Sequence, residues 1–416
     1  MGEDMNYKDL ANYCLSCVKK PCINGCPLGN NITDFIKMMK EDKIEEAYNI
    51  LIETTYLSSI CGRICPHSNQ CEGKCIRGMK GNPVSIGKLE AYVGDMALEN
   101  NWEIKMLDEK KYHVAIIGSG PSSLSCAYHL RRNGIKVTIY EKYDSLGGIM
   151  RHSIPDFRLD KRILDKTIDR LLNMGVSVKY NMTLGENLSL DDLKDFDAIY
   201  IGIGANESRE LDVEGKDLFG VIGGNELLEN KLNIDFNNKK VIVYGGGNVA
   251  MDVARTVKRK FNTDVTVVYR RNEYLMPAEK GEVRCAKEDN INFLFQTNIV
   301  KIIGDEKVNS LEVVKTDLLS TGFGRPSVVN VPDSNYLIPC DYLLLCIGSK
   351  PYKLTNKIGV ELDTDGYIIT DEMYHTNISK VYAGGDIIKT NQTVAFASKS
   401  GIEAAKQIIS DLLKED

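Results

Sequence analysis

The chain has 416 residues, of which 43% are hydrophobic and 26% charged, and its formal net charge is −6. Such a length predicts two to three domains at roughly 150 residues each, and the composition is that of an ordinary globular protein. The acidic balance argues against a nucleic-acid-binding surface, which would be basic and clustered, and no apolar run approaches the ~20 residues needed to cross a bilayer.

The first residues, MGEDMNYKDLANYC, are acidic and polar and do not read as a signal peptide, and Asn6 stands where myristoylation requires Ser or Thr. A cytoplasmic protein is expected, in a compartment where disulfides rarely persist. Cys14, Cys17, Cys22 and Cys26 come next, the last followed by Pro27, and a second run places Cys61, Cys65, Cys71 and Cys75. A disulfide framework belongs to short secreted chains. Structural zinc pairs two Cys-x2-4-Cys hooks across a spacer. The spacings here are 2, 4 and 3 residues in the first run and 3, 5 and 3 in the second. The nearest pattern is the ferredoxin-type run ending in Cys-Pro, whose fourth cysteine ligates the other of two iron–sulfur clusters. Two clusters with crossed ligands suit two separated runs better than independent zinc knuckles do.

Between the runs, Ile32, Phe35, Ile36, Met39, Ile44, Ala47, Ile50 and Leu51 recur at helical spacing and predict two short helices, with Asn31 and Thr33 as N-cap candidates. After Cys75, SIGKLEAYVGDMALEN predicts another helix, and residues 1–108 form a helical cluster-binding domain.

At Lys111 the pattern changes. KYHVAIIGSGPSSLSCAYHLRRNGIKVTIYEK reads as strand, glycine turn, helix and strand, with Gly118, Gly120, Pro121, Ser122 and Ser123 in the turn and Glu141 closing the second strand. Gly118 permits the tight turn, Gly120 lets backbone approach a pyrophosphate, and a small third residue lets helix pack on strand. Glu141 is placed to accept from ribose hydroxyls. A second unit, KKVIVYGGGNVAMDVARTVKRKFNTDVTVVYRR, repeats the design at Gly245, Gly246, Gly247, Asn248, Val249 and Ala250, but its second strand ends in Arg270 and Arg271. Arginines in place of the acid suit a ribose 2′-phosphate, which favours NADP over NAD; the plain alternative is a solvated strand end, with Glu273 near enough to neutralise it. Two dinucleotide units in one chain point to flavin plus nicotinamide. Near the C-terminus, KVYAGGDIIKTNQTVAFASKSGIEAAKQIISDLL predicts a strand, a turn carrying Gly385 and Asp386, and a long helix after Thr393, beginning at Val394. Asp386 would meet a flavin ribityl hydroxyl or phosphate, and the helix N-terminus would stabilise negative charge on reduced flavin. The expected fold class is α/β: two Rossmann-like domains, FAD at 109–222 and 346–416 and NADP at 223–345, preceded by the helical domain.

In combination, the cysteine runs, IIGSGPSSL, LGGIMRHSIPDFRLDK, GGGNVAMDVAR, YRRNEYLMPA and AGGD resemble the small subunit of bacterial NADPH-dependent glutamate synthase. They equally resemble the N-terminal half of dihydropyrimidine dehydrogenase. The resemblance implies two [4Fe–4S] clusters with crossed ligands: Cys14, Cys17, Cys22 and Cys75 on one, and Cys26, Cys65, Cys71 and Glu90 on the other, with Cys61 spare. Counting cysteines alone would instead take Cys61 and leave Glu90 on the surface of a helix. LGGIMRHSIPDFRLDK resembles the flavin-side wall, with Gly148 and Arg158 toward FAD. There the family commonly has Tyr-Gly or Asn-Gly where this chain has His152 and Ser153, and often Pro where it has Asp160. An imidazole can move a proton near neutral pH, so His152 is either a proton-transfer candidate or a space-filler.

Cys126, Cys285, Cys340 and Cys346 are isolated, so electron delivery to a dithiol is not expected. Nothing resembles an amidotransferase nucleophile, so substrate chemistry is expected on another polypeptide, a larger catalytic subunit of glutamate synthase type. The alternatives are a bacterial dihydropyrimidine dehydrogenase, a bifurcating ferredoxin:NADP oxidoreductase, and a non-catalytic zinc scaffold.

Overall fold

The computed structural model describes residues 6–229, 232–320, 324–352 and 358–414. These residues pack as two compact units, one drawn from 1–151, 156–205 and 351–416, the other from 152–155 and 206–350.

The first unit opens with short helices. In α1 (Ile32–Lys40) the spaced apolar residues Ile32, Phe35, Ile36 and Met39 are buried, and α2 (Ile44–Leu51) buries Ala47, Tyr48 and Leu51. Asn31 stands at the N-cap of α1, but its amide donates to Asp34 at 2.6 Å rather than capping the backbone, and Thr33 lies inside the first turn instead of at the cap. Helices α3 (Ser58–Ile64) and α4 (Ile86–Glu99) cross in backbone contact. A Cβ on Gly62 would stand 2.4 Å from the Ala91 nitrogen, and one on Gly94 would stand 2.5 Å from the Ser59 nitrogen. Small residues on both helices therefore let the crossing close, and Glu90 is buried within it.

This helical region rests on the rest of its unit through aromatic rings. Tyr56 stacks on Tyr128 at 4.6 Å and donates to the Thr167 carbonyl, and Arg170 donates to the Tyr48 hydroxyl at 3.0 Å.

Among the described residues a parallel sheet follows from β1 (His113–Ile117), β2 (Lys136–Tyr140), β3 (Ser177–Lys179) and β4 (Ala198–Ile201), with a late strand Val381–Ala383 at its edge. That strand pairs with β4, β4 with β1, β1 with β2 and β2 with β3. The inner strands β1 and β4 are almost wholly buried, as a parallel sheet covered on both faces requires, whereas the edge strand β3 is Ser-Val-Lys and mostly exposed. Helix α5 (Pro121–Arg132) leaves β1 through the glycine turn. The long helix Val394–Lys414 crosses α5 so closely that a Cβ on Gly401 would lie 2.0 Å from the Ser122 carbonyl oxygen.

The second unit repeats the plan. Its described parallel strands are β5 (Val221–Gly223), β6 (Lys240–Tyr244), β7 (Asp264–Tyr269) and β8 (Asn292–Phe295), with Tyr342–Leu345 between β5 and β6. Helix α6 (Asn248–Lys260) follows β6. Antiparallel strands β9 (Thr297–Gly304), β10 (Val308–Leu319), β11 (Ser327–Asn330) and β12 (Tyr336–Pro339) add a layer that the motif reading did not separate from its nucleotide domain.

Candidate functional site

Cys14, Cys17, Cys22 and Cys75 line one open pocket, backed by Pro21, Ile32, Ile36, Val84 and Ile86. Cys75 thus leaves its own run and joins the first. The two loops are tied together: Arg77 donates to the Tyr13 carbonyl at 3.0 Å and lies 4.2 Å over the Tyr13 ring. Backbone amides already reach the sulfurs, Ser16 to Cys14 and Val84 to Cys75, each at 3.5 Å. Burial, with Cys14 and Cys75 nearby, pushes the Cys22 thiol up to about 11. Among the described residues no three His, Cys, Asp or Glu side chains converge to hold a single metal ion. Four thiols around an open volume, with amide donors on sulfur, fit an iron–sulfur cluster.

Cys26, Cys61, Cys65 and Cys71 make up a second group of thiols, the last three buried. Burial pushes Cys26 up to about 12, with Glu90 and Cys61 adding to the rise. Cys71 is raised by burial and then by Glu90 and Cys26, and Cys65 by its hydrogen bond with Cys61 and by burial. Glu90 is only 5% exposed, and burial pushes its carboxyl up to about 8 against a hydrogen bond from Asn30. Glu90 is therefore not a surface helix residue. Burial this deep favours the protonated carboxyl, and iron among these thiols would instead stabilise the carboxylate. Cys61, 1% exposed, belongs to the same group, so the structure brings both alternatives for the fourth ligand together.

The flavin-type turn is shaped by its glycines. Gly118 has φ +95°, and a Cβ there would meet the Gly202 carbonyl at 2.6 Å. Gly120 faces open space, with nothing within 4 Å of where its Cβ would lie. Pro121 starts α5 with no side-chain cap, leaving the positive helix end to an anion. Ser122 and Ser123 turn inward, bonding Tyr200 and the Gly202 carbonyl. Gly148 presses on Gly120, 2.7 Å from its Cα to a built Cβ. Glu141 is buried at the end of β2, accepting from Ser119 Oγ at 2.5 Å and the Tyr143 amide at 2.9 Å. A carboxylate has roughly four acceptor sites, so capacity for a ribose remains. Arg158 is half-buried in the first unit, whereas His152 is half-buried in the second.

Gly385, at φ +77°, packs on Ser122, and its amide donates to Ser400 at 2.6 Å. Thr393 caps the long helix, its Oγ1 accepting from Phe396 at 3.3 Å, and Val394 is buried in the first turn. Burial pushes Asp386 up to about 6, against a hydrogen bond from Thr390. The folded chain thus holds this proton more tightly than the unfolded one. Its contribution favours folding below about pH 4 and is lost as pH rises through about 6. Melting of flavin-free protein is expected to show that decline, and Asp386→Asn to flatten it.

In the second turn, Gly245 has φ +152°, and a Cβ there would stand 2.2 Å from the Cys346 carbonyl. Gly246 packs on the Tyr269 ring, and Gly247 has only Pro277, at 4.0 Å, near its Cβ position. Helix α6 again begins without a side-chain cap, because its N-cap is Gly247, and the Asn248 oxygen inside the first turn accepts from the Glu279 amide at 2.8 Å. Val249 is partly buried and Ala250 fully. Arg270 is exposed, and Arg271 donates to the Pro326 carbonyl at 3.3 Å. Glu273 pairs with Lys287 at 2.6 Å. Motif reading missed Arg325, which donates to the Tyr269 hydroxyl at 2.5 Å and to the Leu275 carbonyl, and so reaches the strand end that carries Arg270.

Residues 112–404 match the pyridine nucleotide–disulphide oxidoreductase family model, and residues 3–102 match the model of dihydropyrimidine dehydrogenase domain II, a 4Fe-4S cluster domain. The glutamate synthase [NADPH] small chain of Escherichia coli (strain K12) is 33% identical over 428 aligned residues, covering 97% of this chain and 91% of that one. The chain belongs to the glutamate synthase small-chain family. Like others in this family, it is an NADPH-dependent FAD oxidoreductase with an iron–sulfur domain. The NADP(+)-dependent formate dehydrogenase subunit beta of Moorella thermoacetica is 32% identical, covering 94% of this chain and 60% of that one. Among solved structures, Mycobacterium tuberculosis FprA in complex with NADPH aligns with a TM-score of 0.64 at 20% identity, over 73% of this chain and 85% of that one. Among the described residues no helix is long and apolar enough to cross a membrane.

Proposed function

We propose that this small-chain family member is a cytoplasmic electron-input subunit, passing electrons from NADPH through FAD and two [4Fe–4S] clusters to a glutamate synthase large subunit. The observation that carries this reading is the pocket where Cys75 meets Cys14, Cys17 and Cys22, in the same unit as the flavin-type turn. The near full-length match to the E. coli small chain supports the choice of partner. Bound FAD supplies the two-electron to one-electron conversion. The chain's own residues bind and orient. Gly245, Gly247 and the start of α6 take the nicotinamide dinucleotide's pyrophosphate, and Arg270 and Arg271 its 2′-phosphate. Gly118, Gly120 and the start of α5 take the flavin pyrophosphate, Glu141 its ribose and Asp386 its ribityl chain or phosphate. His152 has no assigned proton step.

Hydrogen bonds to charged groups contribute about 1.5–3 kcal/mol each. Replacing both Arg270 and Arg271 by Gln is therefore expected to weaken NADPH by roughly 10- to 100-fold or more while leaving NADH nearly unchanged. Equal losses for both would overturn the NADP assignment. The partner is tested by anaerobic purification with mass spectrometry of what accompanies the chain. A large amidotransferase-type polypeptide, with glutamine- and 2-oxoglutarate-dependent NADPH oxidation, is expected. The Moorella relative supports a second reading, the same electron path feeding a different acceptor.

A further inference from the structure

Asn30 is 1% exposed, and its amide nitrogen donates to Glu90 Oε1 at 3.2 Å. Its amide oxygen accepts from the Thr54 hydroxyl at 2.8 Å. With the Thr54 hydroxyl donating to that oxygen, the NH2 group faces Glu90. Asn30 therefore touches the Glu90 side chain assigned to the second cluster, and it stands four residues after Cys26 in the chain. It is itself held by Thr54, which follows α2 in the chain.

An amide that donates to a carboxylate oxygen favours the ionised form and fixes the direction in which the group points. A buried Asn–Glu pair can serve packing alone, but packing does not require the Asn amide to be held by hydrogen bonds at both ends. We infer that Asn30 is a positioning residue that orients the Glu90 carboxyl group for the second cluster. This rests on the reading of Glu90 as the fourth ligand.

Outer partners of metal ligands are worth roughly 10- to 100-fold in metal affinity. The test uses anaerobically purified holoprotein and the variants Asn30→Leu, which keeps volume without a donor, and Asn30→Ser, which keeps a small donor. Its readouts are the electron paramagnetic resonance spectrum of the reduced protein, the midpoint potential of each cluster, and iron lost to a chelator. The expected result is a shifted signal and potential for the second cluster alone and faster iron loss, stronger in Asn30→Leu than in Asn30→Ser, with the first cluster's signal unchanged. Glu90→Ala and Cys61→Ala run alongside. If Glu90→Ala alters the second signal while both Asn30 variants match the parent in spectrum and potential, Asn30 has a packing role only and the inference falls. If Glu90→Ala leaves that signal intact and Cys61→Ala abolishes it, the ligand reading beneath falls instead.

Discussion

Gly401→Ala protein is expected to melt about 6–12 °C below the parent, with flavin released at the transition. The added Cβ would stand 2.0 Å from the Ser122 carbonyl oxygen, a backbone atom that no side-chain rotation can move. Overpacking typically costs 1–3 kcal/mol, and a backbone collision belongs at about the upper end. In a unit of this size each kcal/mol moves the melting temperature by about 2–4 °C. The collision falls on the first turn of α5, where Ser122 also packs on Gly385, so the same change should loosen the flavin cradle. Gly281→Ala is the control. Nothing lies within 4 Å of its Cβ position in the helix Lys280–Glu288, so no loss is expected. Melting followed by flavin fluorescence separates the two, and equal temperatures would refute the crossing as described.

Cys75→Ala is expected to strip iron from the first cluster as fully as Cys22→Ala does, while NADPH still bleaches the flavin. The reason is geometric: Cys75 shares its pocket with Cys14, Cys17 and Cys22. If each cysteine run instead served its own cluster, Cys75→Ala would remove the second cluster's signal and spare the first. Iron and acid-labile sulfide, with the reduced-state resonance spectrum, distinguish the two. Cys126→Ala should retain all the iron, since Cys126 is fully buried in α5.

Most of the architecture was legible because its signals are local. A glycine turn that needs φ +95° or +152°, flanked by apolar strands, declares itself in a dozen residues. The long helix after Thr393 declares itself likewise. The burial of Glu90 does not, because it arises where Gly62 and Gly94 let two helices touch across a chain separation that no periodicity records. Arg325 was invisible for a related reason. It reaches Tyr269 only because β10 and β11 fold back over that strand end, and an arginine after a glycine in a polar stretch carries no motif. Thr33 was read as a cap candidate from its residue type, and helix α1 simply began two residues earlier than such a cap would allow.

The flavin sheet has a history as well as a shape. Its edge strand Val381–Ala383 pairs with β4, yet the whole of 206–350 lies between them in the chain. A ribosome adding about 5–20 residues per second needs on the order of ten seconds to cross that interval. Throughout it β4 waits with an unpaired edge, the kind of surface that recruits foreign strands. The uninterrupted stretch 206–350 carries its own described parallel sheet and can close first. Synthesis that stalls within it would leave a finished nucleotide fold tethered to an open, adhesive sheet.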